Sequence, residues 1–256
     1  MTETAPRLAF EETAGAGPPI VLLHGFGGCA AAWRGVLPRF GRAAIAFDLP
    51  GHAGSLNYPG FGSASFAAKA VIAEMDQRGV ETFHLAGHSM GGAAAALIAC
   101  RAPYRVLSLT LLAPGGFGAE INAELLRAFG KASTKAELAA SLELMFAPGA
   151  PVPASLVNML AIQRGVIGQT EALAHVVSKI LSGDAQGVLD KAQLASLSMP
   201  ASVLWGAEDR MVPSEQMRAA PDHFKCVLLP RFGHMLPEEA PEEVLAAILS
   251  DITRAA

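Results

Sequence analysis

Ser89 stands between two glycines in Gly87-His88-Ser89-Met90-Gly91, and what that serine could do depends on what could take its proton. A serine hydroxyl is a weak nucleophile at neutral pH unless a nearby base accepts the proton as the new bond forms. Of the seven histidines, His234 has the best setting. It lies in Gly233-His234-Met235-Leu236-Pro237, just beyond the last apolar run and before a C-terminal helical stretch. An imidazole used this way needs an acid to hold its tautomer and to stabilise it once protonated. The stretch Trp205-Gly206-Ala207-Glu208-Asp209-Arg210 follows the penultimate apolar run, and Asp209 is expected to supply the carboxylate, with Glu208 as the alternative. The chemistry of such a set is acyl transfer through a serine-bound intermediate. Its tetrahedral oxyanion requires hydrogen-bond donors. The backbone N–H of Met90, at a helix N-terminus, and that of Phe26, in Leu23-His24-Gly25-Phe26-Gly27-Gly28, are the candidates. His24 and His88 lie inside these motifs and are expected to hold loops in place, while His52, His84, His175 and His223 have no comparable setting.

These residues can meet only if the chain brings several loops to one edge of a sheet. Apolar, β-branched runs at 19–23, 43–47, 82–86, 106–112, 201–205 and 225–229 alternate with alanine-rich helical stretches, and 8–13 reads as an edge strand ahead of them. Alternation of this kind implies an α/β fold, a mostly parallel sheet flanked by helices. Ser89 then falls at the turn from the strand 82–86 into a helix running from Met90 to about Arg101, where a serine could also serve only as a helix cap. The alternation breaks between Gly115 and about Leu197. That stretch has no convincing strand and reads as helices over 120–130, 134–146, 153–165, 170–181 and 187–197. The expected organisation is a core of residues 1–117 and 198–256 with an inserted helical cap, 118–197.

Composition narrows the function classes. The 256 residues include 52% hydrophobic types, and the mean hydropathy is +0.36, yet no apolar run reaches the roughly 18 residues of a membrane span. The first residues, MTETAPRLAF, have no basic patch followed by an apolar core, so no signal peptide is read and a cytoplasmic location is expected. Nineteen basic and 23 acidic residues give a net charge of -4 without a Lys/Arg block, which argues against nucleic-acid binding. Cys29, Cys100 and Cys226 are widely spaced and are expected to be reduced, buried thiols; no metal site is read. Gly115-Gly116-Phe117-Gly118 looks like a phosphate loop but does not follow a nucleotide-binding first strand.

Taken together, HGFGG, DLPGHAGS (Asp48 to Ser55), GHSMGG, GAEDRMVP and FGHMLPEEAPEEV resemble the α/β-hydrolase superfamily, in the group with a helical cap inserted after the sixth strand. Within it the chain is most similar to the carbon–carbon bond hydrolases of aromatic degradation and, through LLAPGGFGAEIN, to the hydrolase-like part of acetoin dehydrogenase acetyltransferases. The resemblance implies a Ser89, Asp209, His234 triad in the chain order this fold uses, and no cofactor. It departs from both groups in that no arginine-containing cap signature for a dienoate carboxylate is read in it, and no lipoyl domain is expected ahead of residue 1. A serine at the turn argues against dehalogenases and epoxide hydrolases of this fold, which place an aspartate there. Hydrolysis of a small, mainly apolar ester or thioester is the expected activity. Carbon–carbon bond cleavage next to a ketone, and a non-enzymatic ligand-binding role, stay open. Phe117, Phe129, Leu142, Met145, Phe146, Met159 and Ile162 are candidates to face the pocket, and Arg127 and Arg164 to meet a substrate carboxylate. The partner expected is a small molecule; oligomeric state is not legible.

Overall fold

The computed structural model describes residues 5–255. The first four residues of the segment read for a signal peptide lie outside the described residues. The sheet begins with β1 (Phe10–Thr13), β2 (Ile20–Leu23), β3 (Ala44–Phe47), β4 (Phe83–His88) and β5 (Val106–Leu112), with α1 (Ala64–Gln77) before β4 and α2 (Met90–Arg101) after it. The strands most central in the sheet are covered on both faces. Ile20 to Leu23 and Phe83 to His88 are fully buried, as expected for parallel strands covered by helices on each side. The chain then leaves the sheet through α3 (Ala123–Lys131), α4 (Lys135–Met145), α5 (Ala154–Arg164), α6 (Gln169–Ile180), a short hairpin of β6 (Leu181–Ser182) and β7 (Ala185–Gln186), and α7 (Lys191–Ala195). It returns in β8 (Ala201–Gly206) and β9 (Lys225–Leu229) and closes with α8 (Leu236–Glu239) and α9 (Pro241–Arg254). The sheet order is β1-β3-β2-β4-β5-β8-β9, and only β1 runs antiparallel.

This order sets the carboxyl ends of β2, β4, β5, β8 and β9 along one edge, so the loops that follow them share one side of the molecule. β4 sits near the middle and continues two residues beyond the run read from the sequence, straight to His88. The first turn of α2 is Met-Gly-Gly-Ala, and that lack of bulk lets it press on the sheet. A Cβ at Gly91 would collide with the backbone of Leu23 and His24. At the far side, Asp251 of α9 accepts hydrogen bonds from Thr110 Oγ1 (2.7 Å) and Ser202 Oγ (2.6 Å), fastening the last helix under β5 and β8.

Two expectations need correction. Residues 187–197 do not form a full helix: the hairpin turns at Gly183, in left-handed backbone at φ 64°, residues 187–190 run on without helix, and Asp190 then caps the five-residue α7. The Gln186 side chain drives this path, because it bonds Glu120 O (3.1 Å) and Gly116 N (3.3 Å) and so stitches the strand to the start of the insertion. Of the cysteines, all free, only Cys29 is fully buried. Cys226 is exposed because β9 is an edge strand whose outer residues meet solvent. Among the described residues no helix is long and apolar enough to cross a membrane.

Candidate active site

Ser89 occupies the one-residue turn between β4 and α2 with φ 52° and ψ −117°, left-handed backbone that a residue with a Cβ rarely adopts. The flanking glycines make the turn possible. A Cβ on Gly87 would run into the backbone of Gly91, four residues on. The strain places Oγ at the head of the helix, 3.0 Å from His234 Nε2. His234 Nδ1 lies 2.7 Å from Asp209 Oδ2. A carboxylate can only accept there, so Nδ1 carries the ring proton and Nε2 is left free to accept from Ser89.

Each partner is itself held. Asp209 Oδ1 accepts from the amides of Met211 (2.8 Å) and Val212 (2.9 Å), and Oδ2 accepts from Trp205 Nε1 (3.1 Å), while its side chain is wholly buried. Glu208, the alternative acid, is exposed and contributes only its backbone amide to Phe232 O (2.9 Å). The loops carrying Asp209 and His234 touch so closely that a Cβ on Gly206 would strike the carbonyls of Phe232 and Gly233. His234 is further set by its amide on Met145 O (2.7 Å) and by its carbonyl, which accepts from His88 Nε2 (2.8 Å). Burial pushes the His88 imidazole down to about 3, so it braces the base as a neutral ring. Glu239, not singled out from the sequence, completes the scaffold. It accepts from the amides of Ala147 (2.8 Å), Gly233 (3.0 Å) and Met235 (3.0 Å), tying the histidine loop to the end of α4.

The loop after β2 faces the same point. His24 accepts from the amide of Leu49 at Nε2 (2.9 Å) and donates from Nδ1 to Gly25 O (2.7 Å), and burial lowers its pKa. Asp48 accepts from Ala30 N (2.7 Å) and Gly54 N (2.9 Å), which explains the DLPGHAGS stretch as a brace for this loop. Neither the Phe26 nor the Met90 amide donates to an acceptor among the described residues, and both residues line the cavity in front of Ser89.

That cavity measures about 310 Å³ and is walled mostly by aliphatic, thioether and aromatic side chains. Of the pocket candidates, Phe129, Met145 and Met159 line it. Phe117 packs on Trp205, Ile162 points to solvent at 75% exposure, and Leu142 and Phe146 are buried without lining it. Neither arginine reaches it. Arg127 is exposed and pairs with Asp184 (2.8 Å), while Arg164 is buried behind the loop, donating to Gly27 O (3.3 Å) over the Phe129 ring. The Gly115–Gly118 turn opens the insertion and puts Gly116 in the wall. Gly187, Val188, Leu189, Lys179, Cys29 and Glu238 line the cavity although no periodicity announced them. Their neighbourhood is created by tertiary contact alone. Among the described residues no cluster of three metal-ligating side chains occurs.

Residues 20–247 match the model of the alpha/beta hydrolase family. The chain belongs to that family. It is 35% identical over 245 residues to the dihydrolipoyllysine-residue acetyltransferase component of the acetoin cleaving system of Pseudomonas putida, a match covering 94% of this chain and 65% of that relative's length. It is 31% identical to the pimeloyl-[acyl-carrier protein] methyl ester esterase of Methylococcus capsulatus over 80% of this chain and 82% of the relative. Among solved structures, the meta-cleavage product hydrolase of Pseudomonas fluorescens IP01 superposes with a TM-score of 0.86 at 20% identity, covering 97% of this chain and 95% of that one. Both groups read from the motifs thus recur among this hydrolase-family chain's relatives and fold neighbours.

Proposed function

We propose that the chain is a serine hydrolase that cleaves small, mainly apolar carboxylic esters or thioesters, with residues 118–197 as the cap that closes over Ser89. The observation that carries the reading is Ser89 Oγ at 3.0 Å from a histidine whose other nitrogen is held by Asp209, opening on an apolar cavity beside two unpaired amides. Ser89 Oγ attacks the carbonyl carbon while its proton passes to His234 Nε2. Asp209 stabilises the imidazolium, and the N–H groups of Phe26 and Met90 take the oxyanion. The protonated Nε2 then delivers its proton to the leaving oxygen or sulfur. A water deprotonated by the same nitrogen releases the acid and restores Ser89.

The ester reading is favoured over carbon–carbon cleavage because, among the described residues, no arginine lines the cavity to hold a substrate carboxylate. The relative named as a methyl ester esterase supports it as well. The test compares catalytic efficiency on nitrophenyl esters of increasing acyl length with that on a carboxylated ring-fission ketone, and includes labelling by a fluorophosphonate. Ester turnover with Ser89 as the labelled residue is expected, and Ser89→Ala should lose activity by on the order of a million-fold. Preferential turnover of the ketone would move the assignment to carbon–carbon bond hydrolysis. Labelling without turnover of any substrate would favour a ligand-binding role.

A further inference from the structure

Among the described residues Glu238 is the only carboxylic side chain in the cavity wall, and nothing in the ester chemistry uses it. It sits in Leu236-Pro237-Glu238-Glu239, one turn of helix α8 placed directly after His234. Adjacent residues on a helix point about 100° apart. Glu239 accordingly spends its carboxylate on the loop amides of Ala147, Gly233 and Met235, while Glu238 faces the cavity. Its Oε2 is fully buried and has no hydrogen-bond partner among the described residues. Lys179, also in the wall, is exposed at the end of α6 and forms no ion pair with it. A buried polar group without a partner is costly, so a ligand that pairs with Glu238 gains what a hydrocarbon forfeits.

We propose that Glu238 binds an uncharged oxygen function of the substrate, a hydroxyl or keto group set apart from the scissile carbonyl, and thereby selects oxygenated substrates over plain hydrocarbon ones. The reaction at Ser89 rests on the hydrolase reading above; the binding preference does not. Burial, with the neighbouring Glu239 charge adding to it, pushes the Glu238 carboxyl up to about 8. At neutral pH it is therefore mainly the neutral acid, with one O–H to donate and oxygen lone pairs to accept. A hydroxyl satisfies both functions and a keto oxygen takes the O–H. An ammonium group would instead demand the carboxylate form, which this wall disfavours.

The experiment uses the full chain carrying Ser89→Ala and measures calorimetric binding of non-hydrolysable hexyl ketones, plain or with a hydroxyl at each successive carbon. At one position the hydroxylated ketone should bind on the order of tenfold more tightly than the plain one. Adding Glu238→Gln, which keeps a donor and an acceptor, should preserve that preference. Adding Glu238→Leu should abolish it and tighten binding of the plain ketone. The proposal is overturned if no position is favoured, if the preference survives Glu238→Leu, or if Glu238→Gln abolishes it while an amine-bearing ketone binds the parent more tightly than either. The matching esters are then tested with Ser89 intact. Discrimination among ketones with no ester turned over would sink the hydrolase reading and leave Glu238 in its role, whereas ester turnover without discrimination would do the reverse.

Discussion

Replacing Asp209 by asparagine changes one atom, and the structure says which way the new amide must turn. Oδ1 is fixed by two backbone donors, the amides of Met211 and Val212 at 2.8 and 2.9 Å, so the asparagine carbonyl has to stay there. The NH2 group then replaces Oδ2, where it faces Trp205 Nε1 and His234 Nδ1. Trp205 loses little, since its indole N–H also reaches Val212 O at 3.1 Å. His234 has no such second acceptor for Nδ1. It must surrender the Nδ1 proton and accept from the amide, which puts its proton on Nε2, against Ser89 Oγ. The base is thereby presented as a donor, a wrong-tautomer defect that costs about ten-thousandfold in kcat. Loss of the charge from two amide hydrogen bonds should lower stability by about 1–2 kcal/mol, a fall in melting temperature of roughly 2–8 °C. The assay is kcat on a nitrophenyl ester alongside a thermal melt, with Glu208→Gln as the control expected to stay within about twofold because that side chain is exposed. An Asp209→Asn protein that folds and keeps more than about a tenth of the parent kcat would refute the reasoning.

Four histidines are held neutral by burial, His52 and His88 down to about 3, His84 to about 4 and His24 in the same direction, so the unfolded chain binds more protons than the native one below about pH 6.5. Melting temperature should therefore drop steeply as pH falls from there toward about 4, with more than one proton taken up per unfolding event; a flat profile over that range would contradict it. Glu238 acts in the opposite sense: its native pKa of about 8 lies above the value near 4.5 of a free carboxyl, so its effect on stability is absent below the lower value and grows unfavourable as pH rises to the upper one. Glu238→Gln should raise the melting temperature little near pH 5 and most above pH 8, by an amount bounded at several kcal/mol, roughly 1.4 kcal/mol for each pKa unit. Gly206→Ala should destabilise the fold by more than about 2 kcal/mol, since its Cβ would meet the carbonyls of Phe232 and Gly233, whereas Gly187→Ala, with open space around it, should stay within about 0.5 kcal/mol in the same denaturant titration.

The sequence by itself determined the alternation of strands and helices, because strands covered on both faces show as short, mainly apolar runs, and β5 falls on the run read for it; the edge strand β9 also falls on its run although most of it is exposed. It also determined where Ser89, Asp209 and His234 would stand, since each follows a parallel strand and all such loops share one edge of the sheet. Glycines and caps mark those turns locally, as Gly87 and Gly91 do around Ser89 and Thr134 with Glu137 at the start of α4. Only the tertiary structure separated Asp209 from Glu208, because neighbouring acids look alike until one is pinned by Met211 and Val212 and the other meets water. It also shortened the last helix read in the insertion to the five residues of α7, with residues 187–190 held out of helix beside the long-range bonds of Gln186 to residues 66 and 70 positions away. The wall of the cavity was settled in the same way. Glu238 and Val188 come from stretches without a distinguishing period, and their shared surface exists only once the insertion folds back across the sheet edge, where contacts between residues far apart in the chain, and not any local pattern, fix which side chains meet.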